Sequence, residues 1–401
     1  MPDRSLRQTG SATSAITLLS IAAFAAQAMV RVTDSLLPQM AADFHVTVGA
    51  TSIVVTLYLL AHGSVQLVAG AVGDRFGKYL CAAIAATVAT VMVALCGLAP
   101  NLHALVGARI GSGLATGWII PLALAFIGDV VPYERRQQAI GGFLSGQILG
   151  QLFGQAAGGI LGDYFGWRNV FFILAGLLAI ATAGLYSEWL RNPITRAQNT
   201  RSAQQAGFIA GYRAVLRSSW ARTMIVMAFV EFGAMFGAFT FVGADLRLRF
   251  GVSFTLVGLF VSAFAIGGLI YSLSVRRLVP LFGPARLAFI GGTLIAIAYV
   301  TLAFSPHVYI APFATTLIGL GFYMLHNTLQ TNATQMTPEA RGTGVAIFSS
   351  ALYLGQTAGV AAGGAIFDRF TAVPVFLSAA AALFALGWVF SHQLRRHTAR
   401  V

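Results

Sequence analysis

Acidic side chains are scarce in this chain. Asp and Glu total 12 among 401 residues, and charges of either sign make up only 9%. A soluble globular protein carries roughly 25% charged residues, so no large water-facing surface can be built from this composition. Cysteine is nearly absent: Cys81 and Cys96 are the only two, both in one apolar run, which excludes a disulfide framework and a cysteine metal cluster. No His, Cys or Asp group has metal-ligand spacing and no nucleophile motif occurs, so neither an enzyme nor a metal or cofactor site is expected. Also missing is the in-out alternation over about ten residues that marks an outer-membrane barrel strand.

What fills the chain instead is apolar sequence. Hydrophobic residues make up 57% and mean hydropathy is +0.78. Runs of the roughly 20 residues needed to cross a bilayer as helix recur from end to end, leaving no room for a soluble domain. An all-α membrane protein with twelve spans is expected: 14 to 37, 49 to 71, 79 to 99, 103 to 127, 137 to 162, 167 to 190, 220 to 244, 252 to 275, 286 to 305, 308 to 333, 343 to 368 and 371 to 393. The first run follows Arg4 and Arg7 and contains Ala26-Gln27-Ala28, which resembles a signal-peptide cleavage site. Cleavage there would leave an odd number of spans and spoil the charge bias, so the run is read as a span.

That bias is strong. Of 25 Lys and Arg, 19 fall on one side of the expected spans, four (Arg168, Arg247, Arg249 and Arg369) on the other, and Arg31 and Arg109 inside spans. The positive-inside rule puts the richer side, with both termini and the middle loop, in the cytoplasm. The net charge of +13 is then topology plus attraction to anionic headgroups of the lipid bilayer, and no nucleic-acid partner is expected.

The one long polar break, Asn192 to Ser219, divides the spans six and six. This predicts an N-terminal half over 1–190, a cytoplasmic linker over 191–219 and a C-terminal half over 220–401. Positions 205 apart match: LGQLFGQAAGGILGD (Leu149 to Asp163) aligns with LGQTAGVAAGGAIFD (Leu354 to Asp368), and Glu134 and Arg136 align with Glu339 and Arg341. A flanking charged pair in the same register points to duplication rather than shared composition. Two such halves are the plan of a carrier that rocks about a central site. In the fifth span Gly146, Gly150, Gly154, Gly158 and Gly162 form a smooth stripe suited to such motion or to static packing. Gln147, Gln151 and Gln155 form a second stripe, costly in lipid unless it faces a partner or water.

The loop GAVGDRFGKYL, Gly70 to Leu80, combines Gly73 and Gly77 for a tight turn, Asp74 near a helix N-terminus, and Arg75 and Lys78 as surface anchors. It resembles the signature loop between the second and third helices of the major facilitator superfamily. The resemblance implies that Asp74, with Arg75, latches the two halves on the cytoplasmic side by contacting the eleventh helix when the carrier faces outward. The equivalent VRRLVPLFGPARL keeps Gly283 and its bases but lacks the acid. LVGARIGSGLATG resembles the fourth-helix motif whose arginine, here Arg109, is implicated in proton transfer. LGQLFGQAAGG resembles the antiporter motif, with Gly154-Gln155 in place of its glycine-proline pair. VTDSLLPQMAADF, with Asp34 and Pro38, resembles the twelve-helix drug:proton antiporter branch.

Few acids lie well inside a span: Asp34 and Glu231 do. An ionised carboxylate near mid-bilayer costs at least about 2.5 kcal/mol and must be paired, solvated or protonated. Asp34 is therefore either a proton-accessible group biased by Arg31 or half of a static pair with Arg31 at i,i+3, snorkelling from the outer end of the first span. Glu231, with Phe229, Phe232, Phe236 and Phe239 around it, suits a lipophilic cation, or else turns to a polar partner on another helix. The tenth span is the most polar, and Tyr323, His326 and Gln330 share a face beside Asn327, as a substrate wall or a packing seam.

The expectation is a monomeric carrier of a bacterial inner membrane, coupling protons to export of a small amphipathic or lipophilic substrate. A carrier for a polar metabolite, importer or exporter, is the alternative, with Arg109 then pairing an anionic substrate.

Overall fold

The computed structural model describes residues 3–196, 208–337 and 340–398. Among these every regular element is helical. The first part of the chain forms α1 (Asp3–Arg31), α2 (Leu37–Phe44), the single turn α3 (Val48–Thr51), α4 (Ile53–Phe76), α5 (Lys78–Leu98), α6 (Leu102–Val130), α7 (Tyr133–Phe165) and α8 (Trp167–Arg191). The second forms α9 (Phe208–Arg217), α10 (Ser219–Phe239), α11 (Val242–Phe250), α12 (Phe254–Ser262), α13 (Phe264–Phe304), α14 (Ala311–Ala333), α15 (Arg341–Phe370) and α16 (Ala372–Thr398). Helices win because apolar surroundings leave backbone groups no partners but one another. Their starts are written locally: Asn101 caps α6 by accepting from Ala104 N at 2.9 Å, and Ser218 caps α10 by accepting from Ala221 N at 3.2 Å.

Among the described residues, ten stretches are long and apolar enough to cross a membrane. The glutamine- and glycine-rich α7 is not among them, although its 33 residues reach about 50 Å at 1.5 Å per residue. Phe254–Phe304 counts as one stretch of 51 residues, about 76 Å of helix against a hydrocarbon core of about 30 Å. Gly283 breaks it at a positive φ of 68° between Pro280 and Pro284, which divides the stretch into lengths that each fit one crossing.

The end of the bundle where α8 leads into the linker is called here the linker face, and the opposite end the far face. The duplication is visible in the packing. Cβ atoms placed on Gly150, Gly154 and Gly158 of α7 would lie 2.2 to 2.4 Å from the carbonyl oxygens of Phe24, Ala28 and Val32 in α1 and the residue after it. Those on Gly355 and Gly359 of α15, 205 residues later, would lie 2.0 and 1.9 Å from the carbonyls of Phe229 and Gly233 in α10. The glycine stripe therefore fastens each crossing helix to a neighbour from its own half; it is not the sliding surface between halves. Of the flanking charged pairs in the repeat, Glu339 lies outside the described residues.

Contact between the two parts runs through α4 against α15 and α7 against α12. Along α4 it extends from the far face, where Gly49 just before the helix meets Gly364, to mid-helix, where Ser350 Oγ donates to Gly63 O at 2.9 Å. On the linker face α9 takes over: Tyr212 Oη donates to Leu67 O at 2.6 Å, and Gly211 packs on Thr343.

Candidate functional site

The first span does not run unbroken to residue 37. It leaves α-helix after Arg31, turns through residues 32–36 with Asp34 N donating to Arg31 O and Leu36 N to Thr33 O, and resumes at α2 with Pro38 in its first turn. The seventh span breaks in the same way between α10 and α11 at Thr240 and Phe241. Both breaks lie among buried residues, where irregular backbone is tolerated inside a membrane protein.

Arg31 and Asp34 sit at the first break with side chains 3% and 2% exposed. That burial rules out a pair snorkelling to water. Their one contact, Arg31 Nη1 to Asp34 Oδ2, is 3.5 Å, longer than a well-formed ionic hydrogen bond. Asp34 Oδ1 and Arg31 Nε have no partner among the described residues. The Arg31 guanidinium lies 3.6 Å above the ring of Phe236 in α10. Positions 31 and 236 are 205 apart, so equivalent residues of the two repeats stack on each other where the halves meet.

Arg109 is completely buried in α6. It donates from Nε to Val54 O at 3.2 Å and from Nη1 to Met29 O at 3.3 Å, and its charge rests 3.8 Å above the Tyr58 ring. Carbonyl oxygens and a π face thus hold it in place of a carboxylate, with Nη2 unpartnered. Met29 precedes Arg31 by two residues, and Asp34 lies within electrostatic reach of Arg109. The structure brings Arg31, Asp34 and Arg109 into one buried cluster.

Glu231 and His326 form a second cluster. Glu231 is fully buried in α10, and its Oε2 lies 2.9 Å from His326 Nδ1 in α14. His326 stacks on Phe322, with rings 9° from parallel and 4.9 Å apart, and the Phe232 ring packs tilted against it at 5.2 Å. Glu231 has turned to a polar partner, while Phe229 is exposed on the outside of α10. The rest of the expected tenth-span face separates: Tyr323 packs over Gly268 of α13, Asn327 is half-buried, and Gln330 is exposed. Of the α7 glutamines, Gln155 is fully buried with both amide atoms unpartnered, and Gln147 and Gln151 are half-buried.

Sequence reasoning missed Gln356, also fully buried with both amide atoms unpartnered. The offset of 205 was signal enough, since it aligns Gln151 with Gln356. His62, which the sequence reads as a satisfied structural histidine, belongs to a polar strip with Tyr58 and Thr116, in which the Thr116 hydroxyl lies 2.8 Å from Tyr58 Oη and 3.1 Å from His62 Nδ1.

In the gating loop Gly77 takes a φ of 94°, which favours glycine, and Gly73 lets Leu122 close on α4. Asp74 lies not at a helix N-terminus but in the last turn of α4, the unfavourable end for an anion. Lys78, first in α5, offsets this at 2.7 Å and also reaches Asp129 at 2.5 Å. These ion pairs stay within α4, α5 and α6. Arg75 is exposed and stacks over Phe76.

Residues 19–360 and 241–400 match the family model described as Major Facilitator Superfamily. The chain is 26% identical over 378 residues to the uncharacterized MFS-type transporter YwfA of Bacillus subtilis, covering 93% of this chain and 90% of that one. It is 26% identical over 289 residues to the multi-drug resistance efflux pump PmrA homolog of Lactococcus lactis, covering 71% and 70%. The crystal structure of the nucleoside transporter NupG superposes with a TM-score of 0.73 at 14% identity, over 95% of this chain and 99% of that one, a likeness of fold. With the gating-loop motif, the doubled packing and a family model matched along nearly its whole length, the chain belongs to the major facilitator superfamily of membrane transporters.

Proposed function

We propose that this transporter couples proton movement to the outward transport of small amphipathic or lipophilic compounds by alternating access. It works as a monomer in the inner membrane of a bacterium, with the linker face and both termini in the cytoplasm. Two six-helix halves, 1–190 and 220–401, joined by the linker 191–219, rock about the broken spans. The observation that carries the reading is Asp34: a buried carboxylate with one loose cation contact, one free oxygen, and a stacking contact across the halves through its partner Arg31.

A carboxylate locked in a static pair would have good ionic geometry and its remaining lone pairs satisfied. Asp34 has neither, so protonation sacrifices little and leaves the Arg31 cation without its counter-charge where it stacks on Phe236. Arg109, fixed by carbonyls, supplies a steady positive charge beside the pair. Glu231 with His326 forms the charged end of the substrate site; a cationic substrate must displace His326 to reach the carboxylate. The relative named as a multi-drug efflux pump homolog is consistent with this substrate class.

One observation favours a second reading. Gln155 and Gln356 are buried with both amides free, which suits the hydroxyl and carbonyl groups of a polar metabolite. A compound screen in a pump-deficient host, with and without a proton gradient, separates the two. Gradient-dependent resistance to lipophilic cations supports export of amphipathic compounds. Gradient-independent exchange of polar solutes alone would replace it.

A further inference from the structure

Asp163 and Asp368 close the repeated segment LGQLFGQAAGGILGD and LGQTAGVAAGGAIFD, and neither has a part in the site described above. Each sits near the far-face end of its crossing helix and binds an element of the other half. Asp163, in the last turn of α7, accepts from Thr255 N at 3.1 Å and Thr255 Oγ1 at 2.7 Å, at the start of α12. Asp368, in the last turn of α15, accepts from Thr47 Oγ1 at 2.5 Å, Gly49 N at 2.8 Å and Ala50 N at 3.1 Å, where the second span begins. Ala50 and Thr255 are themselves 205 apart. The duplication has kept donor and acceptor on both sides of the interface.

The surroundings repeat as well. A Cβ on Gly159 would lie 2.4 Å from Phe254 O and 2.6 Å from the Cα of Gly258; one on Gly364, the equivalent residue, would lie 2.6 Å from Ser52 Oγ and 3.0 Å from Gly49 O. At both places backbone meets backbone one turn before the aspartate, which leaves no room for a larger residue while the far face is shut. On the linker face the two parts meet through Tyr212 and Leu67 instead, and the ion pairs of Asp74 stay inside the first half.

From these contacts we infer that Asp163 and Asp368 are the two arms of a pseudo-symmetric clamp that holds the far face closed while the linker face is open. The inference rests on the alternating-access reading. Each arm sets a carboxylate against backbone N–H: Asp163 against Thr255 N in the first turn of α12, where free donors favour an anion, and Asp368 against Gly49 N and Ala50 N of the single turn α3. Both arms must release together for the far face to open, because α7 and α15 each bridge to the opposite half. Opening then leaves two carboxylates and two helix starts to be satisfied by water, available at this depth. The clamp is therefore a reversible latch rather than a permanent joint, and it complements the Asp74 loop at the other end.

The test is pulsed dipolar spectroscopy on the full chain, with Cys81 and Cys96 replaced by alanine. One label pair, at Leu98 and Tyr309, spans the far face, and another, at Phe76 and Leu281, spans the linker face; all four positions are exposed. Asp163→Asn and Asp368→Asn are compared with the parent. Each is expected to shift the ratio of far-closed to far-open populations by roughly tenfold, the scale of one charge-assisted hydrogen bond lost. Asp368→Asn, with three bonds, shifts it further. Loss of a clamp lengthens the far-face distance and shortens the linker-face distance together, whereas simple loss of packing broadens both. If the parent populates two states and both variants match it at both pairs, the clamp is overturned and alternating access stands. If no sample ever moves the two pairs in opposite senses, alternating access falls and the clamp with it.

Discussion

The two halves of this transporter descend from one repeat, yet they bury their charges in opposite ways. The first half holds two arginines and one aspartate whose only mutual contact is long, leaving donors and an acceptor free. The second holds one glutamate and one histidine at 2.9 Å between aromatic rings. A loose cluster with surplus positive charge leaves room for a change of partners. A tight acid-imidazole pair keeps each member satisfied by the other. The difference teaches that the repeat preserves the helical scaffold but not its buried charges: position 34 matches Phe239, and position 231 matches Ala26.

The largest effect is expected at Asp34. Asp34→Asn keeps the shape and removes the titration, so proton-driven transport in reconstituted vesicles should fall to the passive leak, while substrate binding persists. Undiminished coupled transport would transfer the proton role to the second half and reverse the comparison. Next comes the tight pair. His326→Leu leaves Glu231 buried without its partner, and breaking such a pair costs about 3–5 kcal/mol. Replacing both residues with leucine should recover most of that loss, measured by unfolding in detergent. Equal destabilisation by the single and double variants would show the pair to be uncoupled. In transport, Glu231→Gln should weaken cationic substrates more than neutral ones, and equal loss for both would remove charge recognition.

How much of this was legible beforehand follows from what a linear pattern can encode. Helical spans, the repeat at 205 and the gating loop were readable because apolar length, register and turn chemistry are local. Arg31 and Asp34 were readable as neighbours because they share one chain segment. The contact of Arg31 with Phe236 and the choice of His326 as partner to Glu231 were not, since periodicity fixes which face a residue occupies but not which helix stands opposite. The same limit explains Gln330, which shares a helical face with His326 and yet is exposed. The glycine stripe was readable as a close-packing surface, but whether its neighbour belonged to the same half or the other depends on helix order in space. Asp74 was misplaced by a boundary shift of a few residues, enough to exchange the start of α5 for the end of α4.

A smaller effect sharpens the comparison at the gating loop, where only the first half has kept an acid. Asp74 and Lys78 are partly exposed, so the pair contributes about 0.2–1 kcal/mol. If Asp74 also latches the halves as the family resemblance implies, Asp74→Asn should move the balance towards the linker-open state by an effect of the same size, no more than about fivefold, read from labels at Phe76 and Leu281. Unchanged distances there would mean that the loop's acid serves packing in both halves alike.

The smallest expected effect lies at the far-face rims, where each half has its own ion pair. In the second, Asp245 and Arg249 lie 2.8 Å apart and are mostly covered. In the first, Asp43 pairs with Arg168, both about two-fifths exposed, and accepts from Trp167 Nε1 at 3.2 Å. The hydrogen bond from Arg168 holds the Asp43 carboxyl below the usual carboxylate range. Because the folded value is the lower one, the stabilisation is complete above the unfolded value of about 3.9 and is lost as pH falls through the folded value. Solvent screening limits it to a few tenths of a kcal/mol. Asp43→Asn should thus unfold at a slightly lower temperature than the parent at neutral pH. The gap should close as pH falls through the carboxylate range, and close equally in high salt at neutral pH. A gap that survives both treatments would assign the residue's contribution to packing against Trp167, and the rim of the first half would then be held by contact rather than by charge.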